Sequence, residues 1–217
     1  RLARLAGGRG RFSLGYFFEN RGIESGIPAG FTLTTLGHYA GIAAGYRYGY
    51  KLATAAAISP EEGGSLAANV ELTHAKLGSS SNLEQQVFWG DGRLYLPVPF
   101  ADHHVLALRG AGGVAFGDQL LQGNFVLGGG VGESPFTATS TRLFNLRGLP
   151  FATFARNRVW VASAEYRLPF FRVQRGLGTL PLAVNSAHLA FFADMGDAFN
   201  EGSVPFRPLL GLGGELR

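Results

Sequence analysis

Alternation with a period of two residues, a scarcity of charge and the lack of any helix-length apolar run together predict an all-β protein, a transmembrane antiparallel β-barrel. Of the 217 residues, 46% are hydrophobic, 33 are glycine and only 16% are charged, against the roughly 25% charge usual for soluble globular chains. A surface so poor in charge calls for a covering other than water over part of its area. No uncharged apolar stretch of about 18 residues occurs, so the apolar content is not a spanning helix and is spread over short alternating segments. The length suits one domain.

Successive strand side chains point to opposite faces, which makes the alternation readable segment by segment. Phe12, Leu14, Tyr16 and Phe18 form an apolar face against Arg11, Ser13, Gly15 and Glu19. Over residues 39–58, Ile42, Tyr46, Tyr48, Tyr50 and Leu52 alternate with Gly41, Gly45, Arg47, Gly49 and Lys51. That run exceeds the roughly 3–10 residues of ordinary globular strands and approaches a tilted spanning strand with an extension; a soluble hairpin turning near Gly49 is the alternative. Leu66, Ala68, Val70 and Leu72 then oppose Asn69, Glu71 and Thr73, and Phe88, Leu94 and Leu96 oppose Asp91 and Arg93. In residues 104–116, Leu106, Leu108 and Val114 face away from Arg109; in 158–168, Trp160, Ala162, Ala164 and Tyr166 face away from Ser163, Glu165 and Arg167. Leu189, Phe191, Ala193 and Met195 oppose His188 and Asp194, and Leu210, Leu212 and Leu216 oppose Gly211, Gly213 and Glu215. These make about eight antiparallel candidates, apolar outside and polar and glycine-rich inside. Trp89, Tyr95, Trp160 and Tyr166 are candidates for interfacial aromatic girdles.

In lipid an open sheet edge leaves backbone groups unpaired at several kcal/mol each, so such a sheet must close. Eight strands can close, but residues 118–157 make a connection far longer than a hairpin loop, with little room in so small a barrel. Residues 1–10 carry no signal-peptide pattern and the chain stops after a strand without a terminal aromatic, so the expectation is a partial barrel over residues 1–217, continued by strands on either side. With 118–157 as an outer loop, alternation puts the turns at 97–103 and 59–64 in the periplasm and those at 77–83 and 21–37 outside, in keeping with short periplasmic turns. The connection over 169–185 is then a long periplasmic exception.

Several function classes are disfavoured. The net charge of +4 comes from scattered rather than clustered basic residues, which argues against nucleic acid. Cysteine is absent, excluding disulfides and thiolate metal sites. The glycine-rich stretch 127–132 lacks the lysine of a phosphate loop and reads as close backbone packing. His103 and His104 are adjacent strand-end residues with opposed side chains and no third ligand, and His188, on the inner face with Asp194, has no nucleophile to serve. No cofactor or metal is expected.

Arg147 stands apart because a guanidinium cannot be neutralised, so a loop that folds inward must bring it to carboxylates. Strand periodicity puts Glu165 and Arg167 on the inner face of one strand and Asp194 on that of the next. A loop left in solvent would instead make Arg147 a hydrated charge and Asp194 an ordinary lumen residue.

Leu146-Arg147-Gly148-Leu149, Glu165-Tyr166-Arg167-Leu168-Pro169 and Phe192-Ala193-Asp194-Met195-Gly196, in that order and preceded by Leu127-Gly128-Gly129, resemble the Omp85 superfamily of outer-membrane assembly and secretion barrels, also described as bacterial surface antigen domains. The likeness extends more loosely through Tyr95-Leu96-Pro97 and residues 104–109. It implies sixteen strands, of which these are the seventh to fourteenth, with 118–157 as the sixth outer loop folded into the lumen. It further implies that Arg147 meets Asp194, with Gly148, Glu165, Arg167 and Gly196 in the same loop-lock network. Gly148 would let the loop backbone approach the wall closely. The family pattern departs at Leu149, where an aromatic usually follows Arg-Gly.

The function implied is non-enzymatic: insertion of outer-membrane proteins or translocation of polypeptides at the bacterial outer membrane. The partners implied are outer-membrane lipid, an unfolded or extended polypeptide substrate, and periplasmic or lipoprotein accessory subunits. The alternatives are a barrel that anchors or exports an attached enzymatic domain, a passive porin, and a soluble all-β binding domain.

Overall fold

The computed structural model describes residues 8–21, 37–52, 60–81, 83–117, 125–129, 142–176, 183–200, 202 and 207–216. Among them the strands are β1 (Arg9–Arg21), β2 (Gly37–Leu52), β3 (Glu62–Thr73), β4 (Gln85–Pro97), β5 (Val105–Gly117), β6 (Phe125–Gly128), β7 (Leu143–Asn145), β8 (Phe154–Arg156), β9 (Arg158–Gly176), β10 (Ala183–Phe199) and β11 (Leu209–Leu216). Eight form one antiparallel sheet in the order β1-β2-β3-β4-β5-β9-β10-β11, and β7-β6-β8 form a second, three-stranded sheet. The described part of every alternating segment of the sequence thus lies in, or within one residue of, a strand of the large sheet. That sheet has β1 and β11 as its edges, so the described residues do not make a closed ring of sixteen strands.

Register keeps like with like. Phe12 sits opposite Tyr46 and Tyr46 opposite Ala68, while Ile42 faces Leu72 and Tyr48 faces Leu66. A slip of one residue would exchange the two faces of a strand, so the alternation itself fixes the pairing. Gly49 lies in mid-ladder between Arg9 and Ser65, which rules out a turn there; residues 53–58 of that segment lie outside those described. The resulting apolar face leaves large side chains uncovered from one edge of the sheet, with Leu14 68% exposed, to the other, with Leu212 70% exposed. Apolar area in water is unfavourable by roughly 25 cal/mol per Å², and so continuous a patch marks a surface with an apolar partner. Trp160 and Tyr166 stand on this face. Trp89 and Tyr95 do not: they share the opposite face with Asp91 and Arg93, where Trp89 packs on the core and Tyr95 is buried, so neither belongs to a girdle.

That opposite, polar face carries the core. Phe125, Leu127, Phe144 and Leu146 of the small sheet and its flank are sealed against Val87, Ala115, Val159 and Val161 of β4, β5 and β9. The rings of Phe125 and Phe144 meet edge to face at 5.6 Å, a favourable quadrupolar arrangement. Gly113 makes the room: a Cβ there would stand 2.5 Å from the Phe125 ring. Gly129 meets the carbonyl of Leu149 closely, so the described part of the glycine-rich stretch serves backbone packing, with 130–132 outside the described residues. Of the long connection 118–157, residues 125–129 and 142–157 are described, and it is through them that the chain crosses the polar face.

The connection between β9 and β10 is shorter than the sequence suggests, because β9 continues to Gly176 and β10 begins at Ala183. The sequence hides this behind Pro169, which ends the regular alternation. The ladder instead absorbs an extra residue beside the Pro169↔His188 pair and another between Val184 and Ser186. Proline has no N–H to donate and is accommodated at such bulges.

Nitroxide labels report the two faces directly in the detergent-folded protein. A label at Tyr46→Cys is expected to be relaxed by molecular oxygen and one at Arg47→Cys by an aqueous nickel chelate. The reverse pattern would overturn the face assignment of β2.

Candidate functional site

Leu146-Arg147-Gly148-Leu149 forms a tight turn immediately after β7, closed by Leu149 N–H donating to the Leu146 carbonyl at 3.4 Å. Gly148 occupies the third position with φ of +94°, a left-handed conformation that turns of this kind require and that side-chain-bearing residues adopt at a cost. The need for glycine here is therefore conformational rather than spatial. A Cβ at Gly148 would meet Gly211 at an ordinary 3.9 Å. The close approach falls at Gly211 of β11, where a side chain would run into the Arg147 carbonyl. Leu149, where the sequence departs from the family pattern, packs against the core cluster.

The turn presents Arg147 to β9 and β10. Its Nε donates to Asp194 Oδ2 at 2.6 Å and its Nη2 to Asp194 Oδ1 at 2.8 Å, a bidentate fork. Its Nη1 donates to Glu165 Oε2 at 2.7 Å, and the other oxygen of Glu165 accepts from Arg167 Nε at 2.6 Å. The register explains how one guanidinium reaches both acids: Asp194 pairs with Ser163 and Phe192 with Glu165, so the carboxylates are diagonal neighbours on the same face. Asp194 and Glu165 are fully buried, and the Arg147 side chain is 10% exposed. The Arg147 guanidinium also lies 3.6 Å from the centre of the Phe192 ring, a cation–π contact.

Two guanidinium groups thus face two buried carboxylates, with Glu215 of β11 3.9 Å from Arg147 at the margin. Burial alone would lower the pKa of Arg147, but hydrogen bonding and charge from Asp194, then from Glu165, hold it above its ordinary value. The group stays a cation throughout the accessible pH range. A planar fork is required: a lysine would supply the charge but could not span both acids with directional bonds.

Of the residues singled out in the sequence, Arg147, Asp194, Glu165 and Arg167 therefore meet in one cluster, with Gly148 in the turn that delivers the first. Gly196 is buried on the same face of β10 but packs against the carbonyl of Trp160 and Val161, away from the ionic contacts. His188 lies six positions from Asp194 along β10, roughly 20 Å at strand rise, and is not its neighbour. His103 sits in the β4–β5 turn 2.6 Å from Glu61, and His104 is 2.8 Å from the Tyr166 hydroxyl. Among the described residues no group of three His, Cys, Asp or Glu could hold a metal ion. Phe192, Gly211 and Glu215 were not singled out. Their inward parity was readable, but their proximity to Arg147 depends on where the turn lands.

An antiparallel sheet with one bare apolar face, its other face crossed by its own loop through a buried arginine–carboxylate cluster, defines a class of strand-built protein whose outer face calls for an apolar partner. The chain belongs to the Omp85 superfamily, whose domain model matches residues 45–208. The matched span contains Arg147, Glu165, Arg167 and Asp194 but stops short of Gly211 and Glu215. No curated protein matches the chain. Membership makes it a protein of membrane-protein biogenesis, not an enzyme, and implies dealings with unfolded polypeptide and with membrane lipid.

Stranding a charge in an enclosed pair costs about 3–5 kcal/mol. Arg147→Ala and Asp194→Ala are each expected to loosen the turn by this order, read as faster protease cleavage near residue 147. In a double-mutant cycle the combined variant should lose less than the sum. Fully additive losses would show that the two do not act as a unit. Gly211→Ala, which leaves every charge in place, should weaken docking by about 1–3 kcal/mol through overpacking alone.

Proposed function

We infer that the chain supplies about half of a sixteen-stranded outer-membrane barrel, its strands the seventh to fourteenth, which inserts outer-membrane proteins or translocates polypeptides. Residues 118–157 are the loop folded into the lumen, and Arg147, Gly148, Asp194, Glu165 and Arg167 make up the lock that holds it. The observation that carries this reading is the bidentate Arg147–Asp194 contact, shared with Glu165, on the polar face of β9 and β10. A loop tied across the interior suits a barrel that admits an extended chain under control. Closure follows from the solvent: the exposed aliphatic and aromatic face calls for lipid, and in lipid the edges of β1 and β11 must find partners. An edge that must be paired is also one on which a substrate strand can be templated by β-augmentation. Periplasmic or lipoprotein subunits would deliver that substrate.

The test is substrate folding in proteoliposomes containing the full-length protein, followed by the change in gel mobility of a radiolabelled outer-membrane barrel substrate or by protection of an exported one. Arg147→Ala and Asp194→Ala should each lower the yield about tenfold or more, and Arg147→Lys should restore only part of it. Wild-type yield in both alanine variants, or a high and steady ion conductance without polypeptide, would favour a passive porin and overturn the reading.

A further inference from the structure

A second ionic cluster on the same sheet has a different balance of charge. A cavity of about 250 Å³ lies between the polar face of β2–β5 and the edge of the small sheet, lined by Arg47, Asn69, Trp89, Asp91, Arg93 and Arg109. Leu143 and Phe144 of β7 close its far side with apolar surface. Asp91 bridges two of the arginines, accepting from Arg93 Nε at 2.7 Å and from Arg109 Nε at 2.6 Å. Both oxygens of the lone lining carboxylate are thereby engaged. Among the described residues Arg47 pairs with no carboxylate, and Arg109, whose side chain is 5% exposed, has its buried Nη1 without an acceptor. The neighbouring Glu71 is taken by Arg142, whose guanidinium lies 5.6 Å from the centre of the Trp89 ring. Arg109 thus keeps a buried donor without an acceptor among the described residues, and Arg47 adds a second cation at the rim of the same space.

The two clusters obey the same chemistry with opposite outcomes. Around Arg147 every guanidinium donor group meets a carboxylate, and the turn fills the space between them. Around Arg109 a buried donor is left without an acceptor among the described residues, and a cavity lies beside it. Buried guanidinium N–H groups are rarely left without acceptors, and a planar fork takes up an oxyanion in the plane of its donors.

We propose that the cavity bounded by Arg47, Arg93 and Arg109 is a binding site for an acidic side chain of a polypeptide passing along the polar face of β2–β5. Asp91 shows which geometry the arginines accept, since it is a carboxylate held between two of them. Trp89 and Phe144 offer an apolar flank to the methylenes of a glutamate, and Arg47, at the exposed rim, is where an incoming acid meets the first charge. The identity of the acid's carrier rests on the polypeptide-handling reading above; the site itself does not.

Trp89 lines the cavity and Trp160 stands on the opposite face, so a Trp160→Phe background isolates the reporter. The probe is an N-acetylated, amidated pentapeptide with two glutamates separated by glycine, titrated against the full chain folded in detergent. Trp89 emission should change saturably, with an affinity that falls as salt is raised. The glutamine counterpart should leave the emission unchanged. Arg47→Gln, which breaks no ion pair among the described residues and should fold normally, is expected to weaken binding roughly five- to tenfold. Arg109→Lys, which keeps the charge beside Asp91 but not the fork, should weaken it as well. Equal binding of both peptides, no saturable change, unaltered affinity in Arg47→Gln, or tighter binding of inorganic phosphate than of the glutamate peptide would each overturn the assignment. The titration can fail in a protein that still inserts substrates and succeed in one that does not, so the two readings stand or fall separately.

Discussion

Arg147 cannot give up its proton, and that single constraint organises the site around it. A guanidinium brought among Phe192, the turn backbone and two strands must be answered by carboxylates at fixed distances. Asp194 answers with both oxygens and Glu165 with one, while the second oxygen of Glu165 holds Arg167 in turn. Because β9 and β10 supply one acid each and the turn supplies the base, the cluster fixes three parts of the chain at one point. The left-handed Gly148 aims the fork, and the bare surface of Gly211 lets the turn backbone come close enough for it to reach.

The remainder of the architecture follows from having two chemically opposite sheet faces. On one face the large side chains of β1 to β11 remain uncovered, so whatever surrounds the sheet must be apolar. On the other face, glycine and alanine at alternate positions leave space that side chains of the sheet alone do not fill. Residues 125–129 and 142–157 fill part of it, with Phe125, Leu127, Phe144 and Leu146 forming a core against β4, β5 and β9. The interior is therefore dry beneath the small sheet and ionic on either side of it.

Those two ionic regions differ in how their donors are satisfied. Near Arg147 every guanidinium donor group meets a carboxylate and the geometry is closed, as befits a contact that fastens a loop. Near Arg109 a buried donor is left without an acceptor among the described residues and a cavity remains.

The sequence by itself determined the eight strands of the large sheet and their faces, because a period of two is a local property that needs no knowledge of neighbours; the three short strands of the small sheet fall where it offered only a loop. It also marked Arg147, Glu165, Arg167 and Asp194 as chemistry that had to be accounted for, since an obligate cation in an apolar-flanked loop and inward-facing acids are legible one residue at a time. Tertiary structure decided what depends on juxtaposition. Trp89 and Tyr95 turn out to serve the interior because their parity with Asp91 and Arg93 outweighs their aromatic character. The bulges after Pro169 prolong β9 past the point where alternation stops. Gly211, Phe192 and Glu215 join the site only because the turn after β7 lands on β10 and β11, and the cavity beside Arg109 emerges only when β2, β4 and β5 are laid side by side. Alternation along a strand is written in consecutive residues, whereas the meeting of a loop with a distant strand is set by packing that no local pattern encodes.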